Sequence, residues 1–230
     1  MHGRENVTDL DRLRDFERRQ GVRIYLQPGG PATVAPLTPG QEPLRYRLDA
    51  FDVTLEFEPT DFIQVNAVLN EAMVARAVEL LDPQPGDRVL DLFCGLGNFS
   101  LPLARRAGEV VGLEGEAALV ERARNNARRQ AIGNVEFLAA DLAAVTDDAP
   151  WARRSYDRVL LDPPRAGARE VLPVAGRCGA RRLVYISCHS GSLARDAGHL
   201  VRDHGFRLVA AGVMDMFPHT THVEAMAVFE

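Results

Sequence analysis

Three reactive side chains fall where strands are predicted to begin or end. The apolar segment 183–187 runs directly into Cys188, the segment 158–161 runs into Asp162, and Glu224 opens the segment 223–229. Taken alone, a cysteine at such a position can be no more than a small buried residue. A thiol and two carboxylates at neighbouring strand ends can do more. A thiolate is a strong nucleophile and a good leaving group, and a carboxylate can take up a proton. One reaction that needs both is alkylation at C5 of a uracil ring. That carbon is a poor nucleophile until a thiolate adds to C6 and turns the ring into an enolate. A base must later remove the C5 proton so that the thiolate can depart. Hydrogen bonds to the ring carbonyl stabilise the enolate; Gln64, in the segment FIQVN, and Asp162 are the candidates for holding the base or a cofactor.

A second set of residues points to a nucleoside ligand. The predicted strand 88–92 ends in Asp91-Leu92-Phe93-Cys94-Gly95-Leu96-Gly97-Asn98. Glycines in such a turn remove the side-chain obstacle to a closely approaching ligand. Glu114 ends the next strand about twenty residues on, where a carboxylate accepts hydrogen bonds from ribose hydroxyls. A dinucleotide would suit the same layout, but the third glycine of GxGxxG is missing. Asp91 would also repel a pyrophosphate, whereas it suits the cationic tail of S-adenosylmethionine. Asp141, after the third strand, is placed for an adenine amino group; alternatively it caps a helix N-terminus.

The elements that must carry these residues alternate regularly from about residue 61. Helices are predicted over 67–81, 99–106, 116–130, 168–176 and 192–204. Strands are predicted over 88–92, 110–113, 135–138, 158–161, 183–187, 207–213 and 223–229. This alternation indicates an α/β Rossmann-like fold with a mostly parallel seven-stranded sheet, helices on both faces and an antiparallel pair of strands at one edge. Ligands in such sheets bind at the carboxyl ends of the strands. Residues 1–60 read differently: a charged helix over 9–20, a strand over 22–26, a Pro/Gly loop, and short strands over 45–48 and 53–57. They form a small N-terminal appendage, a remnant of a central or RNA-binding region, ahead of a catalytic domain over 61–230.

The 230 residues carry a net charge of −5, and 46% are hydrophobic. No run reaches the roughly 18 apolar residues of a membrane span, and the charged start is no signal peptide. Three cysteines without a CxxC pair suggest neither a disulfide framework nor zinc, so a reducing cytoplasm is expected. All 27 basic residues are arginine, which reads as codon bias, although pairs such as Arg105-Arg106, Arg128-Arg129, Arg153-Arg154 and Arg181-Arg182 could form a local basic face. His219 and His222 without other ligands are poor evidence for a metal. Trp151 could stack on a base or pack against the sheet beside the acidic loop Asp147-Asp148.

The segments FIQVN, LDLFCGLGNFSLPLA, LLDPPRAG, YISCHSGSLARD and DMFPHTTHVE resemble the RNA uracil-5-methyltransferases, within that family most of all the bacterial enzymes that make 5-methyluridine in 23S ribosomal RNA. The resemblance implies Cys188 as nucleophile and Glu224 as base. It also implies an S-adenosylmethionine pocket lined by Gln64, Phe93, Asn98, Glu114, Asp141 and Asp162, and an RNA partner; Gly95 of the glycine turn is expected in the same pocket, and the chain is expected to be a monomer. Rival readings are a transfer-RNA enzyme of the same chemistry, an amino-group methyltransferase sharing the DPP motif, and a fragment that binds the cofactor without turnover. Two departures stand out. The family reads SCNP where this chain has Ser187-Cys188-His189-Ser190; His189 is either tolerated there or lowers the thiol pKa. The N-terminal barrel and cluster cysteines of the ribosomal-RNA enzymes are missing, so no iron–sulfur cluster and weaker RNA binding are expected.

Overall fold

The computed structural model describes residues 7–146 and 148–230; the charged first six residues and Asp147 of the acidic loop lie outside the described residues. By its contacts the chain divides into two units: residues up to Arg45 together with Glu56–Phe62, and Tyr46–Leu55 together with Ile63–Glu230.

In the first unit, α1 (Val7–Gln20) precedes a two-stranded ladder of β1 (Tyr25–Leu26) and β2 (Ala35–Pro36). The predicted strand over 22–26 shrinks to its last two residues, and the Pro/Gly loop supplies its partner. Buried Glu17 accepts from the Ile24 N–H, the Thr38 hydroxyl and the Gln41 amide. Those bonds hold its pKa below the usual carboxylate range, the Ile24 N–H contributing most.

The strands β3 (Leu44–Leu48) and β4 (Val53–Phe57) form a hairpin. Its closed end belongs to the second unit, where Gln130 bonds both the N–H and the carbonyl of Thr54, at 2.7 and 2.8 Å.

The second unit continues through α2 (Ala67–Leu81), β5 (Arg88–Leu92), α3 (Ser100–Ala104), β6 (Glu109–Glu114), α4 (Ala117–Arg129), β7 (Val135–Ala139), β8 (Arg158–Leu161), α5 (Leu172–Arg177), β9 (Arg182–Ser187), α6 (Ser190–Asp203), β10 (Leu208–Met214) and β11 (Glu224–Phe229). Its seven strands lie in the order β10-β11-β9-β8-β5-β6-β7. Pairing is parallel from β9 through β8, β5 and β6 to β7, while β11 is antiparallel to both neighbours. The central strands are apolar runs because helices cover both faces; Leu90, Leu92, Val111, Leu113, Val159, Leu161 and Tyr185 are buried in one continuous core.

Two helices are shorter than their periodicity suggests. α5 begins at Leu172 rather than 168, and its first turn carries Pro173, which lacks the N–H that a position further inside would have to donate. α3 keeps only its middle turn, with Pro102 inside it. Trp151 is buried in a short 3-10 turn and accepts the Tyr156 hydroxyl on its carbonyl; a buried indole is a packing residue, not a stacking platform.

Candidate active site

The carboxyl ends of β5, β6, β8 and β9 and the start of β11 carry most of the residues singled out above, while Asp141 follows β7 and Gln64 precedes α2. The β9–β11 ladder pairs Ser187 with Ala225, so one step further along this antiparallel register Cys188 stands opposite Glu224. Parallel pairing of β8 with β9 (Leu161 with Tyr185) brings Asp162 to the same rim. Cys188 feels the charges of Glu224, Arg165 and Asp162, and Asp162 feels those of Glu224 and Asp91.

These acids sit in an environment that resists their ionisation. Asp162 is pushed up to about 8, first by burial and then by the negative charges of Glu224 and Asp91. Glu224 is 4% exposed and raised by burial. The half-buried Cys188 thiol is raised by burial and by Glu224, with the Arg165 guanidinium acting in the opposite sense. Removing a charge from water disfavours the charged form, and a nearby like charge adds to that effect. Arg165 is exposed and lies 3.1 Å from Nδ1 of His222. Among the described residues no cluster of His, Cys, Asp and Glu could hold a metal ion.

The glycine turn after β5 is built mainly from backbone. Phe93 takes φ +69° and Gly95 φ +54°; nothing lies within 4 Å of where a Gly95 Cβ would be, so that side of the turn is open. Glu114 accepts the Gly95 N–H on one oxygen and the Glu116 N–H on the other, both at 3.1 Å. Each oxygen keeps a lone pair for a further donor. Asp91 is fully buried and held up to about 7 by desolvation, although the Ser100 hydroxyl donates to it. Gly112 makes that contact possible, because a Cβ there would lie 3.0 Å from the Ser100 oxygen and 2.8 Å from the Phe137 ring. The other Asp91 oxygen and the Gln64 carbonyl oxygen are buried without a hydrogen-bond partner. Buried polar atoms are almost always satisfied; the Gln41 carbonyl oxygen of the first unit is a third such orphan, and each marks a place where a further donor fits.

Asn98 and Asp141 differ from expectation in their surroundings. The Asn98 amide forms a reciprocal pair with Asn70 of α2, at 2.9 and 3.1 Å, and accepts the Tyr46 hydroxyl at 2.9 Å. That leaves one N–H of the Asn98 amide for anything else. Asp141 is exposed and accepts the Ala143 N–H at 2.9 Å in a turn; among the described residues the next helical element is the short 3-10 turn Pro150–Arg153, too far along the chain for Asp141 to cap.

Tyr46 and Asn70, which clamp the glycine turn, carried no signal in the sequence. Asp196 did lie in a quoted motif, yet its part was missed. It is completely buried and accepts the Tyr185 hydroxyl at 2.7 Å, the Ala168 N–H at 2.8 Å and the Arg195 guanidinium, which also reaches the Ala166 carbonyl at 2.8 Å. Asp196 therefore ties α6 to β9 and to the turn after Asp162.

Comparisons with known proteins bear on the family and the fold. Residues 40–230 match the model of the tRNA (Uracil-5-)-methyltransferase family. The chain belongs to this family. It is 59% identical over 215 residues to the 23S rRNA (uracil(1939)-C(5))-methyltransferase RlmD of Xanthomonas axonopodis pv. citri, covering 94% of this chain and 48% of that protein. The RlmD of Alkalilimnicola ehrlichii is 59% identical over 225 residues, covering 97% and 51%. The chain thus spans about half the length of the curated relatives it matches. Among solved structures, the Pyrococcus abyssi tRNA (uracil-54, C5)-methyltransferase in complex with S-adenosyl-L-homocysteine superposes with a TM-score of 0.74 at 29% identity, over 90% of this chain and 50% of that one. M. jannaschii TYW2 in complex with AdoMet, at 18% identity and a TM-score of 0.60 over 86% of this chain and 90% of that one, shares the fold.

Proposed function

We propose that the chain transfers a methyl group from S-adenosylmethionine to C5 of a uridine in 23S ribosomal RNA through a covalent bond between Cys188 and C6. The observation that supports this reading is that Cys188 and Glu224 directly follow the last β9–β11 pair, Ser187 with Ala225, and that the charges of Glu224 and Asp162 reach the Cys188 thiol. The 59% identity to RlmD proteins favours ribosomal over transfer RNA as the acceptor. In this reading residues 61–230 are the catalytic domain, residues 1–60 an appendage left from an RNA-binding region, and the location is cytoplasmic. No described helix is long and apolar enough to cross a membrane.

The donor set fits the cofactor. Glu114 has a free lone pair on each oxygen for the ribose hydroxyls, Gly95 leaves its side of the turn open, and the unpaired Gln64 and Asp91 oxygens await donors. Phe93, Asn98, Asp141 and Asp162 complete the proposed lining. When bound, S-adenosylmethionine supplies an electrophilic methyl group.

The protein's own part follows from its side chains. Cys188, as thiolate, adds to C6, and the C5–C6 electron pair moves into a C4 enolate. Asp162, neutral near pH 7 because its pKa is pushed up to about 8, can donate a hydrogen bond to that oxygen, with the Gln64 amide as the second candidate donor. Once C5 is methylated, Glu224 takes the C5 proton. The C5–C6 double bond re-forms, and the thiolate leaves with the electron pair of the C–S bond.

RNA carrying 5-fluorouracil tests this, because fluorine at C5 cannot be removed as a proton. The wild-type chain with S-adenosylmethionine should give a protein–RNA adduct stable in denaturing gels, and Cys188→Ala should abolish it. A wild-type chain that binds the RNA and forms no adduct would refute the covalent route. Cofactor binding without transfer to any RNA would make the chain a binding fragment.

A further inference from the structure

We propose that His189 is a positioning residue for Cys188, holding the nucleophile through the N-cap of α6 rather than tuning its charge. This rests on the reading of Cys188 as the nucleophile.

Cys188 is the one residue between the end of β9 and the cap of α6, and both of its neighbours are tied down. On one side Ser187 is buried, and its hydroxyl accepts the His189 N–H at 3.1 Å and donates to the His189 carbonyl at 3.0 Å. On the other side, His189 is in extended backbone at the N-cap of α6, and its ring Nδ1 accepts the Ser192 N–H at 3.1 Å. The Ser192 hydroxyl returns a bond to the His189 carbonyl at 2.9 Å. The first N–H groups of a helix have no partner within it, and an N-cap side chain normally supplies one through an Asp, Asn, Ser or Thr oxygen. Here an imidazole nitrogen does so. Accepting at Nδ1 requires the neutral ring with its proton on Nε2.

The asparagine of the SCNP pattern could make the same bond with its side-chain oxygen. The histidine therefore preserves the bond while changing the residue, and the cap also replaces rigidity lost with the proline that Ser190 displaces. The alternative, that His189 lowers the thiol pKa, finds no support in the electrostatics. The charges that reach Cys188 are those of Glu224, Arg165 and Asp162, and the ring nitrogen nearer the backbone is occupied by Ser192. A nucleophile displaced by a fraction of an ångström loses much of its advantage even when its reactivity is intact.

The experiment compares two rates in wild type, His189→Ala and His189→Asn: adduct formation with 5-fluorouracil RNA under single-turnover conditions, and alkylation of Cys188 by iodoacetamide, followed by mass spectrometry of its peptide. Cys94 and Cys178 are buried and serve as slow internal references. His189→Ala should slow adduct formation about tenfold at saturating RNA, and His189→Asn should restore it to within about twofold of wild type. Iodoacetamide, which needs no aligned partner, should react at about the same rate in all three. His189→Gly, tolerated at N-caps far better than alanine, should be as slow as His189→Ala and replaces it should alanine fail to fold. The proposal is overturned by adduct formation at the wild-type rate in His189→Ala or His189→Gly, by an asparagine variant as slow as alanine, or by alkylation that changes several-fold. A wild-type chain that forms no adduct instead brings down the nucleophile assignment on which the proposal rests.

Discussion

The two ends of the seven-stranded sheet treat charge in opposite ways. At the amino ends of the parallel strands, acids and bases meet. Asp87 pairs with Arg181 at 2.9 Å and Arg158 at 3.4 Å, Arg88 with Glu109 at 2.8 Å, and Asp157 with Arg181 at 3.1 Å. Glu230, at the far end of the reversed strand β11, pairs with Arg207 at 2.9 Å and with Arg182. At the carboxyl ends, Asp91, Asp162 and Glu224 crowd together, with Arg165 the cation felt by the thiol among them. A cleft of about 470 Å³ does lie at the paired end, but Asp87, Arg88, Glu109 and Asp157 on its walls already have partners. Burying like charges together costs stability, and such perturbed groups gather where chemistry is done. A cleft alone identifies less than unsatisfied charge does.

That contrast can be broken at either end. The largest effect is expected from Glu224→Gln. Removing the base should slow release from ordinary RNA by about 10²–10⁴-fold and let the Cys188 adduct accumulate on gels. A variant that still turns over freely takes the base role away from Glu224. At the opposite end, Asp87→Asn leaves the largely buried Arg158 without its counter-charge. Denaturant titration should show a loss of about 3 kcal/mol, with adduct formation by the folded protein unchanged.

Asp162→Asn should act in the reverse direction. Its carboxyl is pushed up to about 8 in the folded chain, above the ordinary value of about 4. The unfolded chain therefore releases that proton first, and folding loses stability as pH rises from the ordinary carboxylate range towards 8. The asparagine variant should lack this decline and melt about 3 °C or more above wild type at pH 8.5, while losing methyl transfer. An unchanged melting temperature would show that the acid is not held neutral. The smallest effect belongs to Arg165→Gln. Without that cation the Cys188 thiol moves further up, so iodoacetamide should alkylate it about two- to threefold more slowly at pH 7.5. In both proteins the rate should climb with pH as the thiolate forms.

Much of the site was legible because it is local in sequence. Cys188, Asp162 and the glycine turn each follow directly from an apolar strand, and a parallel sheet brings such ends to one rim. The clamps were not legible. Tyr46 reaches Asn98 from a hairpin 52 residues earlier, and Asn70 from a helix 28 residues earlier; neither residue type nor spacing announces such a bond. Asp196 gave no sign in the sequence of its three donors, which come from β9, from its helix neighbour Arg195 and from the turn before α5. The Arg pairs proved divided: Arg154, Arg181 and Arg182 are engaged with acids rather than forming a basic face.

Alternation of apolar segments and turns was enough to determine the fold class and which residues stand at the strand ends, because those depend on short-range periodicity and on which residues can lie buried. Tertiary structure alone decided the register that sets Glu224 opposite Cys188, the crowding that raises the acids, and the use of His189 as a helix cap. Those features depend on distances between residues far apart in the chain, and on how completely water is removed around them.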